Sequence, residues 1–419
     1  MFHKRKLFAV LMVSVMVALM AAQCALPGAQ QAYQCTDPRG CLDIAPNEPV
    51  RIAYSMVIAG PDASLGTDTK RGAEIAIDDK KTILDHPIEF IGEDDGCNAE
   101  GGQTVATKLA ADPKIVAIIG TNCSSAARPA IPIICGANIS MISPSNTAPD
   151  LTAEDRPAEY WCYMRTAHND KVQGAAMAQY AYEKGFRKAA TVHDGSLYAD
   201  RLQQVFAEEF KKLGGEITAQ EAVAPTDTDM KPMLTRVAAT NPDFIYYPIF
   251  IAAGGHITKQ AREVPGLETV QLAGADGIFS PDFLAAAGDA ALGFNWSSPD
   301  FSAFGAGYQD FLAKHEAKYG EKVLAPFHAH SYDAFNIIAA AIEKVAVKDA
   351  DGTLHIPRQA LRDAMIGTKD FKGLTGNLTC NATGDCADPK IAVYEGVSAD
   401  PATWYPGSAA DSNPKKIWP

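Results

Sequence analysis

The fold is decided by the segment Ile115-Val116-Ala117-Ile118-Ile119-Gly120-Thr121-Asn122-Cys123-Ser124-Ser125-Ala126-Ala127 and its continuation Ser140-Met141-Ile142-Ser143-Pro144-Ser145-Asn146-Thr147. Residues 115–119 are apolar without alternation, which predicts a strand covered on both faces in a parallel sheet. A helix is predicted to begin at Ser124 and Ser125, and a second strand follows over residues 139–142. Because parallel strands end on one side of a sheet, Ser145 and Thr147 should reach the same edge.

Hydroxyl residues at such an edge are suited to binding a small charged molecule. The first turn of a helix has unpaired backbone N–H groups and the positive end of the macrodipole, which favour an anion by about 0.3–1 kcal/mol. Ser, Thr and Asn are also ordinary capping and turn residues, and an isolated Ser-Ser pair would indicate only that. Two hydroxyl clusters at successive strand ends instead favour a site for a carboxylate and an ammonium on one molecule.

The overall composition is that of a globular protein with two lobes. A chain of 419 residues is too long for one ordinary core and fits two lobes of roughly 150–200 residues each. Hydrophobic content of 47% and charged content of 21% argue against large-scale disorder. The formal net charge of −13 argues against nucleic acid and anionic lipid as partners.

Residues 1–23 are typical of a secretory signal peptide. A basic start precedes a 16-residue apolar run from Leu7 to Ala22, which is short for a membrane span. Met20-Ala21-Ala22-Gln23-Cys24 resembles a bacterial lipobox, in which Cys24 would be lipidated, although Gln23 and Ala21 depart from that pattern. A plain signal cleaved nearby is the alternative. The protein is expected to be exported to the periplasm or the cell surface. It would be anchored to the membrane only if Cys24 is lipidated.

The cysteines fit an oxidising compartment. There are nine, and eight remain when Cys24 is set aside. Cys35 with Cys41, and Cys380 with Cys386, each bracket a short loop and are predicted to form local disulfides.

The other four cysteines lie between residues 97 and 162. Cys97 and Cys123 each follow a predicted strand, whereas Cys135 and Cys162 either pair with each other or remain buried thiols. The sequence has no C-x-x-C motif and no zinc-like spacing of Cys and His, so no metal and no cofactor are expected.

The edge residues resemble a known family. The segments that carry the likeness are Cys123-Ser124-Ser125, Met141-Ile142-Ser143-Pro144 and Thr147-Ala148-Pro149-Asp150-Leu151-Thr152. They are similar to the branched-chain amino acid-binding proteins of ABC importers, and the likeness extends, with gaps, from about Val50 to about Gly396. The resemblance implies a type I periplasmic binding protein, a monomer that closes like a Venus flytrap. It also implies a Cys97–Cys123 disulfide, an amino acid ligand and a membrane permease as partner.

The resemblance assigns roles to individual residues of the predicted site. Ser124 matches the serine that binds the ligand carboxylate, and Ser145 and Thr147 match the pair that contacts carboxylate and ammonium. In the second lobe, Tyr198 takes the place of a pocket tyrosine at a strand-to-helix turn. Asp276 in the turn Gly274-Ala275-Asp276-Gly277 matches the acid that holds the ammonium.

Some of these positions depart from the family pattern. Asp276 stands where the branched-chain binders have glutamate, which is one methylene longer. Leu65 stands where they have a tyrosine, and Phe250 is predicted to line the same wall. The resemblance therefore implies an L-amino acid with an aliphatic side chain, and it leaves that side chain open.

Alternating strand and helix patterns define the domain organisation. The prediction is an α/β protein of two Rossmann-like lobes with parallel sheets, joined by three hinge crossings. Residues 24–49 are predicted to be a tether with one small disulfide loop. Lobe 1 is assigned to residues 50–165 and 300–375, and lobe 2 to residues 166–299 and 376–419.

Three local expectations follow from single residues or runs. Pro132 inside the helix after Ser125 predicts a kinked or short helix, because an interior proline costs about 3 kcal/mol. Asp170 is typical of a helix N-cap. Residues 244–251 form one continuous strand pattern.

Other functions remain open alternatives. An enzyme would need a catalytic motif, but the sequence contains no G-x-S-x-G, no Walker loop, no G-x-G-x-x-G after the first strand and no His obviously placed to activate Ser124. A binder of a related small amide or carboxylate, or a sensory module of the same fold, would differ only in ligand or partner. Substrate binding without chemistry is the preferred interpretation.

Overall fold

The computed structural model describes residues 33–407 and 409–419, so the predicted signal peptide and Cys24 lie outside the described residues. The chain divides into residues 1–35 and a compact unit of residues 36–419. That unit contains two lobes, each built on a mostly parallel sheet. The predicted α/β class with two lobes is therefore confirmed.

The strands alternate with helices along most of the chain. In chain order the strands are β1 (Cys41–Ile44), β2 (Val50–Met56), β3 (Thr82–Ile83), β4 (His86–Asp94), β5 (Ile115–Gly120), β6 (Ser140–Ser143), β7 (Tyr163–Arg165), β8 (Lys188–His193), β9 (Glu216–Ala222), β10 (Phe244–Tyr246), β11 (Gln271–Gly274), β12 (Asn295–Pro299), β13 (Val347–Lys348), β14 (Leu354–Pro357), β15 (Phe371–Gly373), β16 (Gly376–Leu378), β17 (Ile391–Glu395) and β18 (Lys415–Trp418).

The helices cover both faces of the sheets. They are α1 (Ala63–Lys80), α2 (Ala99–Ala110), α3 (Ser124–Gly136), α4 (Asp170–Glu183), α5 (Leu197–Lys212), α6 (Lys231–Ala238), α7 (Ile251–Ala261), α8 (Pro281–Ala287), α9 (Tyr308–Tyr319), α10 (His328–Val345) and α11 (Arg358–Ile366). Within residues 33–407 and 409–419, none of them combines the length and the apolarity that a bilayer crossing needs.

The sheet of lobe 1 has the strand order β3-β4-β2-β5-β6-β7 and is parallel except for the short pairing of β3 with β4. Every residue of β5 is buried, as its unalternating apolar sequence predicts. Ile52 of β2 packs in a cluster with α1 and α10, whereas Ala53 packs in a cluster with α2 and α3. The sheet therefore lies between two helix layers, and the carboxyl ends of β5 and β6 meet at one edge.

Helix α3 runs from Ser124 to Gly136 although it contains Pro129 and Pro132, so of the two predicted alternatives, a kinked or a short helix, the short helix is wrong. Pro132 has no N–H for the carbonyl oxygen four residues earlier, that of Arg128. The hydroxyl of Tyr160 donates to that oxygen at 3.0 Å instead. A donor from outside the helix thus satisfies the group that the proline leaves unpaired.

The sheet of lobe 2 has the order β18-β17-β12-β11-β10-β8-β9, with β17 and β18 antiparallel to their neighbours. Its strand β10 ends at Tyr246, earlier than the predicted strand over residues 244–251. Pro248 follows closely and has no N–H to donate, so the ladder cannot continue through it. Helix α7 begins at Ile251, which makes Phe250 its N-cap residue and turns Phe250 toward the other lobe.

The chain passes between the lobes after β7, after β12 and after β16, which gives the three predicted crossings. Arg165, at the first crossing, has no exposed side-chain surface. Its guanidinium pairs with Asp385 of the third crossing, and it also donates to Thr152 Oγ1 at 2.6 Å and to the carbonyl of Ala148 at 2.8 Å. One buried arginine therefore connects two of the crossings.

The segment before β2 differs from the predicted tether. Strand β1 pairs antiparallel with β14, and residues 36–49 belong to the compact unit. The Asp37 carboxylate accepts the N–H groups of Gln359 at 3.1 Å and Ala360 at 3.0 Å, in the first turn of α11. Capping of this helix and strand pairing fix the segment to lobe 1, and no local sequence pattern predicts either partner.

The eight cysteines that the structure describes are all disulfide-bonded. Cys97 is bonded to Cys123, and Cys380 to Cys386, as predicted. Cys135 and Cys162, which the sequence left open, are bonded to each other. Cys35 and Cys41 are each disulfide-bonded as well.

Candidate functional site

The end of β5 presents the N-terminus of α3 at the cleft between the lobes. Cys123 is the N-cap residue, and its sulfur is held in the disulfide with Cys97. It makes no side-chain cap bond, so the first turn of α3 has no capping side chain. Backbone N–H groups in such a turn are available to an anion. The Ser124 hydroxyl lies in this turn, where it accepts the N–H of Ala148 at 3.3 Å.

The loop after β6 is held against the loop after β5. Ser143 Oγ accepts the N–H groups of Ser145 and Asn146 at 3.2 and 2.9 Å, and it donates to the carbonyl of Thr121 at 2.7 Å. Ser145 Oγ donates to the carbonyl of Asn122 at 2.9 Å. These bonds bring the two predicted hydroxyl clusters together at one sheet edge, as parallel strands require.

Lobe 2 contributes a buried carboxylate, Asp276, which is 4% exposed and follows β11. Its Oδ1 accepts the side-chain N–H of Gln173 at 2.6 Å and the hydroxyl of Tyr198 at 3.2 Å. The Tyr198 oxygen in turn accepts the N–H of Gly277 at 3.1 Å. Burial raises the pKa of Asp276 to about 6, and the two donors oppose that rise. Gln173 and Tyr198 are neutral donors, so neither of these two bonds brings a cation to the carboxylate.

A second buried carboxylate, Asp170, was predicted only as a helix N-cap. The N-cap of α4 is Asn169, whose side chain accepts the N–H of Lys171. Asp170 is fully buried, its N–H donates to the carbonyl of Thr147 at 3.0 Å, and neither of its carboxylate oxygens has a hydrogen-bond partner. Burial, and after it the charge of Asp276, raise the pKa of Asp170 well above its usual value. The charge of Arg165 acts in the opposite direction, but within the described residues neither Asp170 nor Asp276 is held in a salt bridge, and two such carboxylates are costly in a buried site.

A small cavity lies where these elements meet. Its lining comes from both lobes and consists of Leu65, Asn122, Cys123, Ser124, Ser145, Tyr198, Phe250, Asp276, Gly277 and Phe327. The rings of Tyr198 and Phe250 have centroids 5.4 Å apart and form one wall. Leu65 and the Cys97–Cys123 disulfide pack with Phe250 in a hydrophobic cluster. The cavity thus has polar groups at one end and an apolar wall at the other.

Six of the seven predicted ligand-binding residues line this cavity, and Thr147 does not. Thr147 is buried beside the site, with its carbonyl on the Asp170 N–H and its hydroxyl without a hydrogen-bond partner. Three other lining residues, Asn122, Gly277 and Phe327, were not predicted from the sequence, and neither was the burial of Asp170 beside Asp276. Phe327 stands at the start of α10, where no local signal points to the cleft. Asp170 has the sequence pattern of a helix N-cap residue, and N-cap residues are usually exposed, so its burial was not predicted.

Contacts between the lobes close the cleft around the cavity. Ser125 Oγ accepts the N–H of Leu197 at 3.0 Å, and Ser280 Oγ donates to Ser64 Oγ at 3.0 Å. A salt bridge of 2.9 Å joins Arg201 of lobe 2 to the carboxylate of an acid in lobe 1, Asp150. The structure is therefore the closed arrangement of a two-lobed cleft.

The fold and this cleft define the class of two-lobed solute-binding proteins. A family model described as "Periplasmic binding protein" matches residues 49–400. The chain therefore belongs to the periplasmic binding protein family, and the family predicted from the sequence is confirmed. Proteins of this family bind substrates outside the cytoplasm.

Individual relatives and structures agree with this membership. The Leu/Ile/Val-binding protein of Escherichia coli strain K12 is 31% identical over 269 residues, which are 62% of this chain and 71% of that protein. The leucine-, isoleucine-, valine-, threonine- and alanine-binding protein of Pseudomonas aeruginosa is 26% identical over 356 residues, 83% of this chain and 89% of the relative.

Among solved structures, the leucine-binding protein LivK of Thermotoga maritima has a TM-score of 0.74 and 25% identity, covering 84% of this chain and 96% of its own. LivJ of Streptococcus pneumoniae, solved in complex with isoleucine, has a TM-score of 0.73 at 24% identity and covers 89% of this chain and 100% of its own. The second likeness concerns the fold alone.

Proposed function

We propose that the protein captures an L-amino acid with an aliphatic side chain in the inter-lobe cleft and delivers it to the membrane permease of an ABC importer. One observation carries the proposal. The cavity has an uncapped helix N-terminus on lobe 1 and the buried carboxylate of Asp276 on lobe 2, with the buried Asp170 close behind Asp276, so it complements both charged ends of a zwitterion.

The carboxylate of the ligand lies at the first turn of α3 in this proposal. The Ser124 and Ser145 hydroxyls line the cavity there. No cationic side chain lines the cavity within the described residues, so the anion is held by hydrogen bonds and the helix dipole. Hydrogen bonds to a charged group stabilise by about 1.5–3 kcal/mol each.

The ammonium lies between Thr147, Asp170 and Asp276. The Thr147 hydroxyl and both Asp170 oxygens are buried without partners, and Asp276 accepts only neutral donors in the bonds described above. A cation with three N–H donors can pair with one oxygen of each of these three residues. A carboxylate or amide without an amine leaves them unpaired, so the site should reject such molecules.

The side chain of the ligand meets the apolar wall. Leu65, Phe250 and Phe327 line that end of the cavity, next to the Cys97–Cys123 disulfide. Hydrophobic burial contributes about 0.8 kcal/mol for each CH₂ group, which favours an aliphatic side chain. The names of the Escherichia coli and Pseudomonas aeruginosa relatives support the same ligand class.

The proposed role is transport and not catalysis. Of the hydroxyls that line the cavity, Ser145 donates to a backbone carbonyl and Ser124 accepts a backbone N–H, and no histidine is among the lining residues that the structure describes. A serine nucleophile needs a base within hydrogen-bonding reach. Export as a monomer by the predicted signal peptide, with or without lipid on Cys24, would place the protein beside its permease.

A ligand panel tests the proposal. Thermal unfolding is measured with L-amino acids, with the matched carboxylic acids that lack the amine, and with the matched amines that lack the carboxylate. A ligand present at 100 times its Kd stabilises the folded state by about 2.7 kcal/mol, so true ligands raise Tm. Only the amino acids should do so.

The variant S124A should lose much of that response, whereas D289N, at an exposed acid of lobe 2, should keep it. An equal response to the carboxylic acids that lack the amine would contradict the ammonium site. No response to any amino acid would overturn the proposed ligand class.

A further inference from the structure

Gln173 connects the Asp276 carboxylate to the hinge. It lies in the first turns of α4 and has no exposed surface. Its side-chain nitrogen donates to Asp276 Oδ1 at 2.6 Å and to the carbonyl of Ser297 at 3.0 Å. Its oxygen lies 2.5 Å from Nε2 of His168, a residue of the first crossing. Three elements of lobe 2 and the hinge thus meet at one amide.

The partners of this amide fix its orientation. The Asp276 carboxylate and the Ser297 carbonyl can only accept, so the amide nitrogen must face them. The amide oxygen therefore faces His168, and His168 must present its Nε2–H to it. In the neutral ring the other nitrogen, Nδ1, then has no proton, and it is buried without a partner. His168 therefore donates to Gln173, and Gln173 donates to Asp276.

We propose that Gln173 is a positioning residue for ligand recognition: its amide, oriented by the hinge residue His168, fixes the Asp276 carboxylate in the ionised form and in the direction that pairs with the ligand ammonium. This inference rests on the proposed function. Gln173 does not line the cavity, so it acts on the ligand through Asp276. Asp276 Oδ1 is occupied by Gln173 and Tyr198, which directs the other oxygen to the ligand.

The titratable groups around Asp276 allow the effect of Gln173 to be isolated. Tyr198 of α5 and Tyr246 of β10 are buried, and burial raises the pKa of each well above the usual value, so both stay neutral. His168 is neutral above its lowered pKa of about 4, which burial causes. Asp170 is the neighbouring acid, whose pKa is raised by burial and then by the charge of Asp276, so the measurements are repeated in a D170N background.

The sign of the expected shift follows from the hydrogen bond. A donor to a carboxylate stabilises the charged form and lowers its pKa. Removing the Gln173 donor therefore raises the pKa of Asp276 above its present value of about 6. Binding of an ammonium requires the ionised carboxylate. The pH at which affinity is lost on acidification should then move upward by about one unit. A shift of that size lowers the ionised fraction of Asp276, and with it the affinity, by about 2-fold at about pH 7 and by nearly 10-fold at about pH 5.

Two variants separate positioning from packing. Q173E keeps the shape of the side chain and its acceptor for His168 but replaces the donor with an oxygen facing Asp276. Q173M keeps an unbranched side chain of similar length and removes all hydrogen bonding. If Gln173 only filled space, Q173E would bind nearly as wild type does. Under the proposal Q173E loses more affinity than Q173M, because it adds repulsion to the lost bond. The matched control is Q179M, at an exposed glutamine of the same helix.

The experiment combines calorimetric titration of an L-amino acid across pH 5–8 with carbon NMR titration of Asp276 in the ligand-free protein, assigned by D276N. The expected result is an upward shift of both midpoints in Q173M, a larger affinity loss in Q173E, and no change in Q179M. Unchanged midpoints and affinity in both Gln173 variants overturn the inference. If wild type binds no amino acid while the NMR midpoint of Q173M still rises, the proposed function fails and the positioning of Asp276 by Gln173 stands.

Discussion

Replacement of Asp276 by asparagine should raise the stability of the ligand-free protein while it weakens ligand binding. The carboxylate is buried, and its pKa is raised from 3.8 to about 6 by that burial. A carboxyl whose pKa is higher in the folded state than in the unfolded state destabilises the folded state at any pH where the carboxyl is ionised in both states. A shift of this size corresponds to about 3 kcal/mol. D276N removes the charge and keeps an oxygen for the Gln173 donor.

The pH dependence of this effect has a defined sign. The destabilisation by Asp276 is absent below pH 3.8 and complete above about pH 6. Between these values the unfolded state has released the proton of Asp276, whereas the folded state still holds it. The stability difference between D276N and wild type should therefore grow as pH rises from about 4 to 6 and then remain constant. Urea unfolding of the ligand-free proteins at several pH values measures it.

Ligand binding should change in the opposite direction. Removing one partner of a buried charge pair costs about 2–5 kcal/mol, and Asp170 remains as a second carboxylate, so the lower part of that range applies. The affinity for an L-amino acid should fall on the order of 30- to 150-fold, measured by calorimetry at pH 7.5. The exposed Asp289 provides the control D289N, for which neither quantity should change. An unchanged affinity in D276N would refute the assignment of Asp276 to the ammonium. A less stable ligand-free protein would refute the destabilisation ascribed to the buried carboxylate.

Three further variants test how the site is supported. C97S/C123S removes a disulfide with a sequence separation of 26 residues, and the free energy of unfolding measured in urea should fall by about 3–4 kcal/mol. An unchanged urea midpoint would show that the crosslink contributes nothing to stability. R165M leaves the buried partners of the hinge arginine unpaired and should cost about 3–5 kcal/mol in the same assay, contradicted by a loss below 1 kcal/mol. In G102A the new Cβ would lie 2.3 Å from the Ala126 carbonyl oxygen, so α3 must shift. This shift should lower the free energy of unfolding by about 1–3 kcal/mol and weaken ligand binding. The control is G136A at the end of α3, where a Cβ meets nothing within 4 Å.

Local patterns predicted the parts of the site that follow directly from strand ends. The strand β5 could be predicted because a parallel strand buried on both faces lacks the alternation of apolar and polar residues. The hydroxyl residues after β5 and β6 could be placed together because parallel strands end at one edge of the sheet. Ser124 and Ser145 were therefore found together. Tyr198 and Asp276 came from the family resemblance, and they also line the cavity.

Other features depended on partners that no local pattern reveals. Asp170 looks like a capping acid, and only packing shows that it is buried beside Thr147. The tether predicted before β2 is instead partly a strand, since β14 supplies its partner from more than 300 residues away. The helix with Pro132 persists because the hydroxyl of Tyr160 satisfies the unpaired carbonyl.

By itself, the sequence determined the class of fold, the local disulfide loop Cys380–Cys386, and the presence of hydroxyl residues at a sheet edge, because each depends on spacing along the chain. The tertiary structure decided which groups face each other across the cleft. Gln173 and Asp276 lie 103 residues apart in sequence, yet their side chains are 2.6 Å apart. The ionisation of Asp276 depends on burial and on that donor, and both are properties of packed neighbours that spacing along the chain does not contain.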